Sequence, residues 1–293
     1  MEPLQRTVRS HDGLDLCLFE WPGEGPAIFF AHATGFHARC WDQVVAGLPG
    51  RHCYALDLRG HGRSTRPPPP YVWRDFGKDV AAVADQVALR GALAVGHSKG
   101  GHAVTLAAAL NRVAFGALLL VDPVILTQAA YDGWKAPEAG QEHFANRRRN
   151  RWSSPEEMFQ RFEARRPFSL WSPAVLRDYC NYGLLPAGTG DSDGYVLACP
   201  PEIEASVYAG SGGTNIYPEI ATLTLPVRIL RATPRVLQPG EQPRDMSSSP
   251  TAPDLASHFA HAEDIPLPDL THFIPMQDPG LVARHVEEML ANR

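Results

Sequence analysis

The five residues Gly96-His97-Ser98-Lys99-Gly100 separate a short apolar run at Ala92–Val95 from a helix-like run at Lys99–Leu110. Glycines on both sides of Ser98 permit a sharp, strained turn that joins a strand directly to a helix. Such a turn raises the serine hydroxyl above the carboxyl edge of a sheet. The pattern predicts a strand–turn–helix unit with Ser98 as a candidate nucleophile.

Strand-like and helix-like runs alternate over much of the chain. The strand-like runs are Leu14–Phe19, Ala27–Ala33, Cys53–Leu58, Ala92–Gly96, Ala117–Val121, Val227–Leu230 and Asp264–Leu267. The helix-like runs, in which apolar residues recur every three or four positions, are Trp41–Leu48, Asp75–Leu89, Lys99–Leu110 and Leu281–Leu290. This alternation predicts an α/β fold with a mostly parallel sheet flanked by helices.

The alternation stops after Asp122 and resumes near Pro226. The residues between read as short helices and loops rich in Gly, Pro and Asp. We therefore predict a core formed by residues 1–126 and 223–293, with residues 127–222 inserted as a lid. Half of the 26 aromatic residues fall in this insertion, and its tryptophans either line a substrate pocket or form the lid's own small core; they are Trp134, Trp152 and Trp171.

Composition excludes several classes of protein. With 293 residues, 44% of them hydrophobic, the chain can bury a sizeable core and needs no disulfides or metal ions to hold the fold together. The net charge of −5 gives no reason to expect a nucleic-acid partner. The longest apolar stretches, at 27–33 and 115–121, are too short to cross a bilayer, and the N-terminal residues lack an apolar signal region, so we expect no membrane association and a cytoplasmic location.

Two groups of side chains suggest chemistry that we do not favour. The five cysteines are odd in number and lack C-x-x-C spacing, so we expect buried, reduced thiols and no metal site; they are Cys17, Cys40, Cys53, Cys180 and Cys199. A basic run comprises Arg147, Arg148, Arg149 and Arg151. Because the insertion as a whole holds 9 basic and 12 acidic residues, we interpret the run as a solvated helix face rather than an anion site.

Three further segments complete a family pattern. They are His32-Ala33-Thr34-Gly35-Phe36 followed by Trp41, Asp57-Leu-Arg-Gly-His-Gly-Arg-Ser64, and Thr271-His272-Phe273-Ile274-Pro275. Together with the turn at Ser98, they resemble the motifs of α/β-hydrolase-fold serine hydrolases, in that family's order. The resemblance covers the predicted core and implies a lidded α/β-hydrolase fold.

The resemblance also implies a base for Ser98. A serine hydroxyl is a weak nucleophile near neutral pH and needs a neighbouring base. His272 follows the last strand-like run, where the family's loop returns over the turn, and is our candidate. His97 also neighbours Ser98, and we interpret it as a packing residue.

The triad acid is less clearly marked. In the family it usually follows the strand placed here at Val227–Leu230, but the sequence continues Arg231-Ala-Thr-Pro without a carboxylate. Asp122, at the end of the preceding strand, resembles the alternative acid position of some members and is our candidate. Asp245 and Glu241 remain competitors.

The family resemblance places the oxyanion hole at the backbone N–H groups of Thr34 and Lys99. The Lys99 side chain either faces an acidic substrate group or points to solvent, and we expect solvent. No cofactor is implied.

These residues suit hydrolysis of a small-molecule ester, thioester or lactone through an acyl-enzyme. C–C bond hydrolysis with the same triad remains an alternative, as does a non-catalytic binding protein of the same fold. The serine at the turn makes family members with an aspartate nucleophile poor matches.

Overall fold

A computed structural model describes residues 2–136, 143–188, 194–233 and 247–292. In chain order its strands are β1 (Leu4–Arg9), β2 (Asp15–Trp21), β3 (Glu24–Ala31), β4 (Arg51–Leu56), β5 (Ala92–His97), β6 (Phe115–Val121), β7 (Arg151–Trp152), β8 (Leu184–Pro186), β9 (Tyr195–Leu197), β10 (Val227–Ala232) and β11 (Ala262–Leu267). The α-helices are α1 (Asp42–Ala46), α2 (Trp73–Gln86), α3 (Lys99–Leu110), α4 (Gln128–Asp132), α5 (Pro155–Phe162), α6 (Pro173–Tyr182), α7 (Pro201–Ala209), α8 (Tyr217–Ile220), α9 (Ile274–Gln277) and α10 (Pro279–Ala291).

The main sheet has the strand order β1-β2-β4-β3-β5-β6-β10-β11. The pairs β1–β2 and β2–β4 are antiparallel, and every other neighbouring pair is parallel. The predicted α/β class and mostly parallel sheet are therefore confirmed. Strand β1 was not predicted, because all but one of its residues are exposed and it carries no apolar run.

Apolar layers cover both faces of this sheet. Phe29 and Phe30 are adjacent on β3, and side chains alternate along a strand, so they point into different layers. The Phe29 layer contains Phe76 of α2 and Leu106 of α3. The opposite layer contains residues of α1 and α10, including Val286. With both faces covered, the carboxyl edge of the parallel strands is left for a site.

Helix boundaries in the chain follow local signals. The Ser154 side chain accepts a hydrogen bond from the Glu157 N–H, and Pro155 occupies the first turn of α5. The Asp278 side chain caps α10 in the same way, by accepting from the Leu281 N–H.

The described part of segment 127–222 contains α4 to α8 and a small antiparallel sheet of order β7-β9-β8. We predicted its short helices but not this sheet, because strands of two or three residues leave no periodic signal. A third apolar cluster, in addition to the two layers on the main sheet, joins Trp171 and Tyr179 of this segment to Phe36 and Phe273 of the flanking regions. The segment therefore packs on the carboxyl edge, and its boundaries as a lid remain a prediction.

All five cysteines are buried and unpaired, as expected. Among the described residues, no helix combines the length and the apolar character needed to cross a membrane.

Candidate active site

Ser98 occupies the turn between β5 and α3, with φ 56° and ψ −121°. This left-handed backbone is strained for a residue with a side chain. The neighbouring glycines make the turn possible: a Cβ on Gly100 would lie 2.1 Å from the Ala31 carbonyl oxygen, and one on Gly96 would lie 2.5 Å from the Gly100 oxygen. The Ser98 N–H donates to the Val121 carbonyl at 3.1 Å, which ties the turn to β6.

His272 lies between β11 and α9, and its ring bridges two other side chains. Its Nε2 is 3.0 Å from Ser98 Oγ, and its Nδ1 is 2.6 Å from Asp122 Oδ2. Because a carboxylate only accepts, Nδ1 carries the hydrogen and Nε2 presents its lone pair to the serine hydroxyl. The backbone is fixed as well: His97 Nε2–H donates to the His272 carbonyl at 2.8 Å, and the His272 N–H donates to the Ser247 carbonyl at 2.8 Å.

Asp122 follows β6 directly, with a positive φ of 44° and no exposed surface. Its second carboxylate oxygen, Oδ1, accepts hydrogen bonds from the Ala232 N–H at 3.0 Å, the Ser249 hydroxyl at 2.6 Å and the Thr251 hydroxyl at 3.2 Å. These donors come from the end of β10 and the region beyond it. The position where the family's acid was expected therefore contributes donors to a carboxylate on the neighbouring strand.

The structure thus brings Ser98, His272 and Asp122 into one hydrogen-bonded chain. The competing acids Asp245 and Glu241 lie outside the described residues. Sequence reasoning missed the hydroxyls of Ser249 and Thr251. The available signal was a strand end without a carboxylate, followed further along the chain by residues with hydroxyl side chains.

The loop after β3 lies beside the turn. His32 Nδ1–H donates to the Ala33 carbonyl at 2.7 Å, and the Leu58 N–H donates to His32 Nε2 at 3.0 Å, which holds the loop in place. No described residue accepts a hydrogen bond from the backbone N–H of Thr34 or Lys99. Both groups are therefore available as donors.

The expectation that the Lys99 side chain points to solvent is wrong. The side chain is fully buried; its Nζ lies 3.3 Å from His61 Nε2 and 4.1 Å from the centroid of the Phe76 ring. His61 donates its Nδ1–H to the Arg59 carbonyl, so its Nε2 accepts from the lysine. Burial lowers the pKa of Lys99 to about 7. The first turn of α3 packs against α2, which leaves the side chain no route to water.

Comparison with known proteins decides the family. The model of the alpha/beta hydrolase family matches residues 28–285. This chain belongs to that family. The α/β hydrolase is 30% identical over 200 residues to the bifunctional esterase/perhydrolase DCH of Acinetobacter calcoaceticus, an alignment that covers 64% of this chain and 72% of the relative.

Two further similar proteins are a second sequence relative and a solved structure. A non-heme chloroperoxidase of Streptomyces lividans is 34% identical over 129 residues, 42% of this chain and 47% of the relative, so the alignment spans about half of that protein. The crystal structure of E-2-(acetamidomethylene)succinate hydrolase superposes with a TM-score of 0.74 at 20% identity, covering 99% of both chains. At that identity the likeness shows the fold alone. The chain is an α/β-hydrolase enzyme.

The three tryptophans of segment 127–222 occupy different surroundings in the hydrolase. Trp171 is buried, with its ring centroid 5.4 Å from that of Phe273, the residue after His272. Trp152 is also buried, with its ring centroid 5.4 Å from that of Phe162. Trp134 is 38% exposed and packs against Gly212, apart from the other two.

One group of side chains has the spacing of a cation site. The ligand atoms of His11, Asp12 and Asp79 lie within 4.8 Å of one another. Arg59 already donates to both carboxylates, at 2.6 and 2.7 Å to Asp79 and 2.9 Å to Asp12. An internal cation therefore occupies the position that a metal ion would take.

Proposed function

We propose that this α/β hydrolase cleaves a small carboxylic ester, thioester or lactone through an acyl-enzyme on Ser98. The observation that carries the proposal is the chain from Ser98 Oγ through the His272 ring to Asp122, with contacts of 3.0 and 2.6 Å. Both distances fall within hydrogen-bond range, and the ring is already in the tautomer that accepts the serine proton.

The reaction follows from these contacts. Ser98 Oγ attacks the carbonyl carbon while His272 Nε2 takes the hydroxyl proton, and Asp122 stabilises the imidazolium without accepting that proton. The imidazolium then protonates the leaving oxygen or sulfur, and the bond to the leaving group breaks. Water adds to the acyl-enzyme with the same base, which releases the acid and restores the serine.

The oxyanion formed in each half-reaction needs fixed donors. The free N–H groups of Thr34 and Lys99 are proposed for this role. The esterase named among the relatives supports acyl transfer to water as the reaction class.

We also propose that segment 127–222 is a lid and that Trp171 borders the acyl pocket. Its contact with Phe273 places it one residue from the base, whereas Trp134 packs against Gly212. Trp152 belongs to the same apolar cluster as Trp171.

Hydrolysis of p-nitrophenyl esters from acetate to long acyl chains tests the proposal. We expect turnover by the native enzyme, loss of turnover in Ser98→Ala, and native rates in the matched control Ser257→Ala, whose exposed hydroxyl donates to the Asp254 carbonyl. A fluorophosphonate probe should label the native protein and not Ser98→Ala.

The outcomes separate the alternatives. Labelling without turnover of any ester or thioester would favour C–C bond hydrolysis by the same triad. Absence of labelling in folded protein would favour a binding protein and would contradict the proposal.

A further inference from the structure

Arginines line a cavity of about 370 Å³ within segment 127–222. They are Arg147, Arg148, Arg149, Arg161, Arg165 and Arg166. We call this cavity the arginine pocket. The net charge of the insertion gave no sign of this pocket, because acidic residues elsewhere in the insertion balance the local excess of arginines.

The cationic charge is local and compensated only in part. Between residues 147 and 166 the chain holds seven arginines and three glutamates, in a protein of net charge −5. Arg148 pairs with Glu204, and Arg149 pairs with Glu157 at 2.6 Å. Among the described residues, no side chain forms an ion pair or hydrogen bond with the guanidinium groups of the three exposed arginines at the rim, which are Arg161, Arg165 and Arg166. Clustered like charges repel unless an anion binds between them.

Aromatic rings form the remaining wall. Phe162 and Phe168 stack with centroids 4.2 Å apart and planes inclined by 3°. Trp152 lies 5.4 Å from Phe162, and the Arg149 guanidinium lies 4.3 Å over the Trp152 ring. A guanidinium group can donate two parallel hydrogen bonds to the oxygens of one phosphate. Aromatic rings and guanidinium planes also stack on nucleobases. The combination suits a phosphorylated nucleotide better than a lone carboxylate.

The pocket is linked to the proposed active site by successive ring contacts. Phe168 lies 4.8 Å from Trp171, Trp171 lies 5.4 Å from Phe273, and Phe273 lies 5.7 Å from His272. Arg148 makes a second link, since a Cβ on Gly35, next to the proposed donor Thr34, would lie 3.2 Å from its Nη1. The arginine pocket and the proposed active site therefore border the same aromatic cluster.

We propose that the arginine pocket binds the phosphorylated nucleotide of an acyl-coenzyme A, so that the pantetheine arm extends toward Ser98. This inference rests on the proposed function and narrows its substrate to a thioester. The phosphates pair with the rim arginines, and the adenine stacks on the aromatic wall. Hydrolysis consumes water and releases the free acid and the coenzyme thiol.

Binding is measured first, independently of catalysis. Adenosine 3′,5′-bisphosphate is titrated calorimetrically into Ser98→Ala carrying either Arg161→Gln/Arg165→Gln or the control pair Arg90→Gln/Arg112→Gln. The control arginines are exposed and precede β5 and β6, at the opposite edge of the sheet. We expect the pocket pair to weaken binding about tenfold or more, and the control pair to leave it within about twofold.

Turnover then assigns the nucleotide to the substrate. The acyl group preferred in the p-nitrophenyl series is presented as its coenzyme A thioester and as its N-acetylcysteamine thioester, which lacks the nucleotide. In the otherwise native enzyme, Arg161→Gln/Arg165→Gln should lower kcat/KM about tenfold for the first thioester and leave the second unchanged.

Several results would overturn the inference. These are the absence of nucleotide binding to the folded protein, equal losses in the two arginine pairs, and pyrophosphate competing as strongly as the nucleotide. Nucleotide binding with no effect of the pocket pair on thioester turnover would reassign the pocket to a free nucleotide. Failure of the proposed function is a separate outcome, because it appears as absent probe labelling, absent ester and thioester turnover, or turnover that survives in Ser98→Ala, whereas nucleotide binding is measured without catalysis.

Discussion

Asp122 combines a strained backbone with a fully satisfied carboxylate. One oxygen faces the His272 ring, and the other accepts from a backbone N–H and two hydroxyls. These bonds hold the residue at its positive φ of 44° and leave the carboxylate one orientation toward His272.

Asp122→Asn should lower kcat by about 10³- to 10⁴-fold, because an amide no longer selects the Nδ1–H tautomer of His272. The fold should survive, since the side chain keeps its size. Ester turnover and the far-ultraviolet circular dichroism spectrum check both points, with Asp132→Asn, at an exposed position of α4, as the control. Full activity in Asp122→Asn would transfer the role to Asp245 or Glu241.

Lys99 imposes a stability cost that depends on pH. Its pKa is about 7 in the folded protein and near 10.4 in an unfolded chain, so unfolding takes up a proton between these values. Stability from this group therefore rises with pH above 7 and is lowest below it. We expect the stability difference between native protein and Lys99→Met to change by on the order of 1–2 kcal/mol between pH 7 and 8.5. Urea unfolding of both proteins measures it, and parallel pH profiles would contradict the assigned pKa.

Among individual residues, the sequence predicted those whose proposed role follows from their position in the fold. Ser98 was predicted from its strand–turn–helix context and His272 from its loop, and the structure brings the two side chains within 3.0 Å. Asp122 had two competitors, because a missing carboxylate after β10 does not say which other carboxylate replaces it. The burial of Lys99 was not predictable, because it depends on packing between α3 and α2, which lie apart in the chain.

At the scale of elements, the packing of segment 127–222 onto the carboxyl edge is made by aromatic rings. Trp171 contacts Phe36 at 5.6 Å and Phe273 at 5.4 Å, and the Tyr179 ring lies 5.3 Å from Phe36. The segment is thus fastened at the position where we propose the acyl pocket.

Trp171→Phe should change the ratio of kcat/KM between long and short acyl esters by about tenfold, because the smaller ring widens the proposed acyl pocket. It should also cost about 1–3 kcal/mol of stability through the cavity it leaves. Trp134→Phe, at the exposed tryptophan, should change neither quantity much. A uniform loss of rate for all esters in Trp171→Phe would instead identify the residue as core only.

Elements with strong periodicity were predicted closely, and α3 has the predicted bounds Lys99–Leu110. The exposed edge strand β1 and the short strands β7, β8 and β9 were missed. Their stability comes from partners elsewhere in the chain, which local sequence does not specify.

At the scale of the whole molecule, buried histidines set the response to acid. Complete burial lowers the pKa of five histidines, to about 3 or 4 for three of them; the five are His32, His37, His61, His97 and His102. An unfolded histidine titrates near 6.5, so unfolding below that pH takes up protons and the folded state loses stability as pH falls. Asp42 and Asp57, whose pKa values burial raises to about 6, partly offset this loss.

We therefore expect the free energy of unfolding to fall by several kcal/mol between pH 7 and pH 5. Urea midpoints at pH 7, 6 and 5 measure the fall. His258→Gln, at a residue outside this buried set, should show the same slope as the native protein. Equal midpoints at pH 7 and pH 5 would show that the buried rings are protonated in the folded state.

The proposed triad is assembled from distant parts of the chain, since 150 residues separate Asp122 from His272. Ribosomes make proteins from the amino end, so the strands that carry Ser98 and Asp122 emerge well before the loop that carries the imidazole. Throughout that interval the serine has no base and remains a simple alcohol. On the proposed mechanism, Ser98 gains its reactivity only when β10, β11 and the His272 loop have joined the sheet.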